Sequence, residues 1–249
     1  MTFDEPVLAR ALLSGDEHPT LGEVAVHALG PSTAAGLSAG ALPKAYWHLD
    51  PNEDAAMAAL GEDGVLLAVA DGHNGADVSK RAVTALCDQA EVLLGCPPAH
   101  AEHELTGALV RIEETVATLL TQRRSPRDLS RAALSVALVR AGRLFTATYG
   151  DTAVLRIRAG KPRVFAAGEG FLGGPRSLPA HGAARLRTGD RVLVCSDGIT
   201  DFLGPDWPAG IAAAVEGQPD ADAMVRALLN RAFQGGAGDH LAVAVTTVG

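Results

Sequence analysis

One stretch constrains the fold of this chain more than any other: the apolar run Gly64-Val65-Leu66-Leu67-Ala68-Val69-Ala70, which ends abruptly in Asp71-Gly72-His73-Asn74-Gly75. The run reads as a buried strand, and a long helical pattern, Asp77 to Leu94, follows the acidic turn. Gly61-Glu62-Asp63-Gly64 has the composition of a hairpin turn, so Ala55 to Leu60 reads as an antiparallel neighbour that carries Glu53 to the same sheet end as Asp71. A glycine-flanked acid leaving a strand could hold a hard cation. Asp71 offers two carboxylate oxygens, Gly72 a carbonyl with no side chain in the way, and His73 a proton near neutral pH.

The same pairing of strand end and acid recurs. Two helical patterns, Asp77 to Leu94 and Ala99 to Arg123, are separated by Gly95-Cys96-Pro97-Pro98 and read as an antiparallel helix pair. From Ser130 the pattern becomes a meander of short strands: Ala132–Arg140, Leu144–Tyr149, Ala153–Arg158 and 163–167, with Gly150-Asp151-Thr152 between the second and third. Phe171 to Thr188 reads as irregular, and Arg191–Cys195 as another buried strand that delivers Ser196-Asp197-Gly198 and Asp201. A helix over 219–234 leads to Asp239-His240 and a last strand, Leu241–Val248. Upstream, residues 1–20 read as a short helix or loose arm, Glu23–Leu29 as an edge strand, and Gly30–Pro43 as a loop. Residues 21–249 are expected to form one domain.

Glu53, Asp71, Asp151, Asp197 and Asp239 are thus five strand-end acids. Either each caps a turn, or they converge as an oxygen-only cage suited to Mg²⁺ or Mn²⁺. The three cysteines have neither CxxC spacing nor an even count, which argues against zinc and a disulfide framework and fits a reducing cytoplasm. His100, His103 and Glu104 fall in the polar first turns of a surface helix and read as solvated. Arg123 to Arg127 reads as a solvated linker. A formal net charge of −8 without a basic stripe argues against nucleic acid or an anionic membrane as partner.

Asn52-Glu53-Asp54, Asp71-Gly72-His73-Asn74-Gly75, Gly150-Asp151-Thr152-Ala153, Ser196-Asp197-Gly198 with Asp201, and Asp239-His240 resemble, in order and context, the motifs of the metal-dependent serine/threonine protein phosphatases of type 2C (the PPM family). The resemblance runs from about Val24 to Val248. It implies an α+β fold, a four-layer α-β-β-α sandwich of two antiparallel sheets flanked by helix pairs, with a dinuclear Mn²⁺ or Mg²⁺ centre at one end. By the resemblance Asp71 bridges two ions, Asp197 and Asp239 complete one site, and Glu53 and the Gly72 carbonyl serve the other. Asp151 with Asp197 holds a third ion, Asp54 stands in the second shell and Asp201 orients a metal-bound water. A metal-held hydroxide would attack phosphorus in line while His73 protonates the departing Ser or Thr oxygen. A monomer is expected, with a phosphorylated protein as substrate and a serine/threonine kinase as cognate partner.

The chain departs from the family pattern in three places. Leu49 occupies the position of the usual phosphate-clamping arginine, which leaves Lys44 or His48 as substitutes, although His48 is equally a loop residue with a backbone partner. His240-Leu241-Ala242 replaces the usual residues after Asp239, and for His240 a structural role is expected over an added ligand. The segment from Lys161 to Asp190 is short for the family's flap subdomain. These departures keep two rivals in view: a stress-response phosphatase acting on a phosphorylated anti-sigma-factor antagonist, and a pseudophosphatase that only binds.

Overall fold

The structure, a computed structural model, describes residues 8–121, 129–175 and 177–249. The expected linker from Arg123 to Arg127 lies outside the described residues. In chain order the strands are β1 (Ala9–Ser14), β2 (Ala25–Leu29), β3 (Thr33–Ser38), β4 (Ala55–Gly61) and β5 (Gly64–His73). Helices α1 (Asp77–Asp88), α2 (Ala90–Gly95) and α3 (Ala101–Thr121) follow, then β6 (Arg131–Arg140), β7 (Arg143–Tyr149), β8 (Ala153–Arg158), β9 (Lys161–Val164), β10 (Ala180–Arg185) and β11 (Arg191–Cys195). The chain closes with α4 (Asp197–Thr200), α5 (Trp207–Val215), α6 (Ala221–Gln234) and β12 (Leu241–Thr247).

Two antiparallel six-stranded sheets form, one ordered β1-β4-β5-β6-β7-β10 and the other β2-β3-β12-β11-β8-β9. Side-chain alternation along each central strand explains the four layers. On β5, Val65, Leu67 and Val69 join the core between the sheets, whereas Leu66, Ala68 and Ala70 join the core under α1, α2 and α3. On β12, Ala242 and Ala244 face the inter-sheet core, and Leu241, Val243 and Val245 face α5 and α6. A strand with no wet face therefore needs an apolar layer on either side, and each fully buried Val or Leu contributes about 1.5–3 kcal/mol. Among the described residues no helix is long and apolar enough to cross a membrane.

The structure corrects several expectations. Ala9–Ser14, read as helix or arm, is an edge strand in register with β4, and its inward Ala11 and Leu13 are buried. Thr33–Ser38, read as loop, is a fully buried strand whose small residues let α6 approach: a Cβ on Gly36 would lie 2.4 Å from Cγ1 of Val225. A composition typical of loops is here a packing requirement. Ala180–Arg185, within the stretch read as irregular, pairs with β7. The expected meander is also divided: β6 and β7 stay in the first sheet, while β8 and β9 belong to the second. The chain crosses between sheets at Gly150-Asp151-Thr152, and the crossing carries Asp151 to the end of the sandwich.

Candidate active site

The alternation that builds the inter-sheet core also aims the first acid. Asp71 continues the Val65, Leu67, Val69 face of β5 and stands where that core ends, 4% exposed. Register Ala55↔Ala70 on β4 brings Asp54 and Glu53 alongside Asp71 and Gly72. The fit is close: a Cβ on Gly72 would lie 2.3 Å from the Glu53 carbonyl oxygen and 2.9 Å from Ser79 Oγ, so only glycine is accommodated. From the second sheet come Asp197, just past β11, and Asp239, just before β12. All the predicted acids thus share one end of the sandwich, but they fall into distinct environments.

Ligand atoms of Asp71, Asp151 and Asp197 lie within 4.8 Å of one another. None of the three pairs with a Lys or Arg among the described residues, and Asp71 has only His73 Nδ1 at 4.0 Å. Burial, reinforced by the Asp54 charge, raises the Asp71 carboxyl well above the ordinary range. Burial followed by repulsion from Asp71, Asp239 and Asp151 pushes Asp197 up to about 8. Asp54 is buried with both carboxylate oxygens unpartnered, and burial pushes it up to about 7. Orphaned carboxylate oxygens and mutual repulsion are what cations would relieve. The donors are all oxygen; the nearby Cys195 faces the outer core, and burial pushes its thiol up to about 12, so it offers no thiolate. Asp201 lies one short helical turn beyond Asp197, with its carboxyl raised by burial and by Asp239.

Asp239 is occupied differently. Lys44 Nζ lies 2.6 Å from its Oδ1, with both side chains 7% exposed. Tyr46 donates its hydroxyl to Oδ2, and the His240 amide donates to Oδ1 at 2.7 Å. Burial opposes the Lys44 charge, but Asp239, Asp54 and Asp71 together hold its pKa above the ordinary value. Glu53 is engaged as well: its Oε1 accepts from the amides of Leu49 (2.8 Å) and Gly75 (2.6 Å). His240 has a structural role, with Nδ1 accepting from the Glu53 amide at 3.0 Å, and burial with the Lys44 charge pushes its pKa to about 3. His48 has the backbone partner expected of a loop residue, the Tyr46 carbonyl.

His73 ends β5 with its ring 4.7 Å from that of Phe171. Burial lowers its pKa and the Asp151 charge opposes that shift. Phe171 reaches this position because Leu172 bridges Ala132 through two backbone hydrogen bonds, of 3.0 and 2.8 Å. Gly150, at φ +70°, leaves room for it: a Cβ there would lie 3.1 Å from the ring and 2.8 Å from the Ala133 Cβ. The turn that bears Asp151 is anchored by buried hydroxyls, Thr152 donating to Ser135 at 2.9 Å and Ser135 to Thr148 at 3.0 Å. Sequence reasoning missed Tyr46, Arg131 and Phe171: Tyr46 lies in a loop and Arg131 at a strand start with no acid or glycine motif beside them, and Phe171 sits among Gly170, Gly173 and Gly174 in a stretch read only as irregular.

Comparison with known proteins gives the same architecture. Sequence comparison with curated proteins finds no match. The solved serine/threonine phosphatase PstP/Ppp of Mycobacterium tuberculosis superposes with a TM-score of 0.67 at 21% identity, covering 91% of this chain and 98% of that one. A PstP catalytic domain in complex with two manganese ions gives 0.71 at 22%, covering 90% and 99%. The PPM Ser-Thr phosphatase MsPP from Mycobacterium smegmatis, in complex with cacodylate, gives 0.63 at 22%, covering 92% and 100%. At such identities the likeness is one of fold. The family model described as protein phosphatase 2C matches residues 48–242, from the loop beside Glu53 to β12, and this chain belongs to that family.

Proposed function

We propose that this chain hydrolyses phosphoserine and phosphothreonine in proteins with divalent cations, Mn²⁺ or Mg²⁺, held at the acidic end of the sandwich. The observation that carries this reading is the group Asp71, Asp151 and Asp197, three carboxylates within 4.8 Å that form no direct ion pair with a Lys or Arg among the described residues. Asp71 and Asp197 would hold the ions with Asp151, with the Gly72 carbonyl and Glu53 on one side and Asp239 on the other. When bound, such ions neutralise phosphoryl oxygens and make a water acidic enough to react near neutral pH. Asp54 stands behind them as a buried acceptor, and Asp201 orders water at the rim.

The protein's own groups supply the rest. His73 protonates the departing Ser or Thr oxygen, its ring steadied by Phe171 and the Asp151 charge partly offsetting the lowering of its pKa by burial. Lys44 substitutes for the phosphate clamp that Leu49 cannot provide: once cations take up Asp239, its ammonium is free to meet a substrate phosphate. The Lys44–Asp239 pair also favours a second reading, in which lysine takes a cation's place for good and the chain binds phosphoproteins without turnover.

Hydrolysis of an aryl phosphate and a phosphothreonine peptide, with Mn²⁺, Mg²⁺ or chelator, separates the two. Turnover that requires metal and falls by roughly 10²–10³ or more in Asp71→Asn supports the enzyme, this being the scale of losing one transition-state stabiliser. No turnover with any metal, from folded protein that binds Mn²⁺, selects the binding module.

A further inference from the structure

His73 is one end of a short row of side chains at the edge of the acidic group. Its ring lies 4.7 Å from Phe171, and the guanidinium of Arg131 lies 4.7 Å over the face of the same Phe171 ring. Cross-strand register, His73↔Arg131, fixes the two ends of the row, and the Ala132–Leu172 bridge fixes its middle. Beside it opens a recess of about 410 Å³ lined by Arg131, Gly170, Phe171, Gly174 and Pro175. Arg131 Nε is buried and has no hydrogen-bond partner, and among the described residues no carboxylate pairs with this guanidinium. In a chain of net charge −8, a half-buried arginine on an aromatic platform, with no carboxylate partner among the described residues, can take up an anion.

The geometry points to a substrate-recognition subsite in which Arg131, backed by Phe171, binds an acidic side chain of the phosphoprotein two or three residues from the phosphorylated Ser or Thr. This rests on the phosphatase reading, because His73 marks the side on which the oxygen attached to the peptide departs. The peptide must therefore leave the acids by way of His73, and the next surface it meets is the Phe171 ring. The two contacts of 4.7 Å put the guanidinium no more than about 9 Å from the His73 ring, within reach of two to three residues of extended chain at roughly 3.3 Å apiece. A carboxylate arriving there meets a planar fork of donors, the geometry guanidinium binds best. The ring cannot distinguish sequences by itself; the guanidinium can.

The test uses phosphothreonine peptides carrying a non-hydrolysable phosphonate, in an alanine background, with Asp moved from three positions before the phosphoresidue to three after. Affinity is read by fluorescence anisotropy with Mn²⁺ present. Asp two or three residues away, on one side, is expected to tighten binding roughly tenfold, the worth of one charge-assisted contact. Arg131→Gln should flatten the scan and Arg131→Lys should retain part of it, which separates loss of recognition from loss of folding. A flat scan in the wild type, or an unchanged preference in Arg131→Gln, overturns the inference. Aryl phosphate turnover by the wild type reports separately on catalysis: without turnover, a surviving Asp preference upholds the subsite and overturns only the phosphatase reading.

Discussion

Asp197 and Asp239 flank adjacent strands of one sheet, β11 and β12, yet they are in opposite electrostatic states. Asp239 holds an ammonium at 2.6 Å, a tyrosine hydroxyl and its neighbour's amide. Asp197 faces Asp71 and Asp151 without a Lys or Arg ion pair among the described residues, and burial with their repulsion pushes it up to about 8. Among the described residues, one half of the acidic end is thus paired directly with a lysine and the other half has no Lys or Arg ion pair. That second half is where stability has been given up in favour of a site, because repelling carboxylates persist only when the surrounding fold overrides them.

The sharpest way to break this contrast is to neutralise one acid in each half and compare signs. Asp239→Asn leaves Lys44 buried without its partner and is expected to destabilise the metal-free protein by about 3–5 kcal/mol. Asp71→Asn removes a repelling charge and should instead raise the midpoint in chelator by about 2–4 °C, while abolishing stabilisation by Mn²⁺. Thermal melts of both variants, with chelator and with Mn²⁺, check this; equal destabilisation by both would mean the halves do not differ.

Lys44→Met probes the lysine-paired half from the other side. With its competing ammonium gone, Asp239 becomes available, and Mn²⁺ affinity measured by titration calorimetry should rise roughly tenfold, although the metal-free protein is less stable. Unchanged affinity would show that Lys44 does not compete with the ion. A further effect is one of pH. Between the ordinary aspartate value of 3.8 and about 8, the folded chain keeps on Asp197 a proton that the unfolded chain has lost. Folding stability in chelator should therefore be greatest at the acid end of that window and decline as pH rises through about 8. Mn²⁺ should flatten the decline. Melts at pH 6 and pH 8.5, with and without the ion, give the comparison.

The legible parts of the molecule were those where one residue type serves one physical need. The apolar run Gly64–Ala70 could only be a buried strand, and the hairpin glycines set its register with β4, which brought Glu53 and Asp54 beside Asp71 and Gly72. Thr33–Ser38 was illegible because its small residues answer to Val225 on a helix nearly 190 positions away, which local composition does not reveal. The Lys44–Asp239 pair is equally non-local: the sequence marks Asp239 as an acid before a strand, but nothing nearby marks the lysine that reaches it. Arg131 reads in sequence as the polar start of a strand, and it acquires meaning only from Phe171 folding back across it.

The crossover at Gly150-Asp151-Thr152 makes the site a seam between two separately hydrogen-bonded sheets. Asp54 and Asp71 ride on one sheet, Asp197 and Asp239 on the other, and Asp151 on the link between them. The gap between these carboxylates is therefore set by the thickness of the layer holding the sheets apart, whose inner positions include Ala56, Ala58, Ala242 and Ala244. Those alanines act as shims: a bulkier residue at any of them would wedge the sheets and widen the acidic end without replacing an acid.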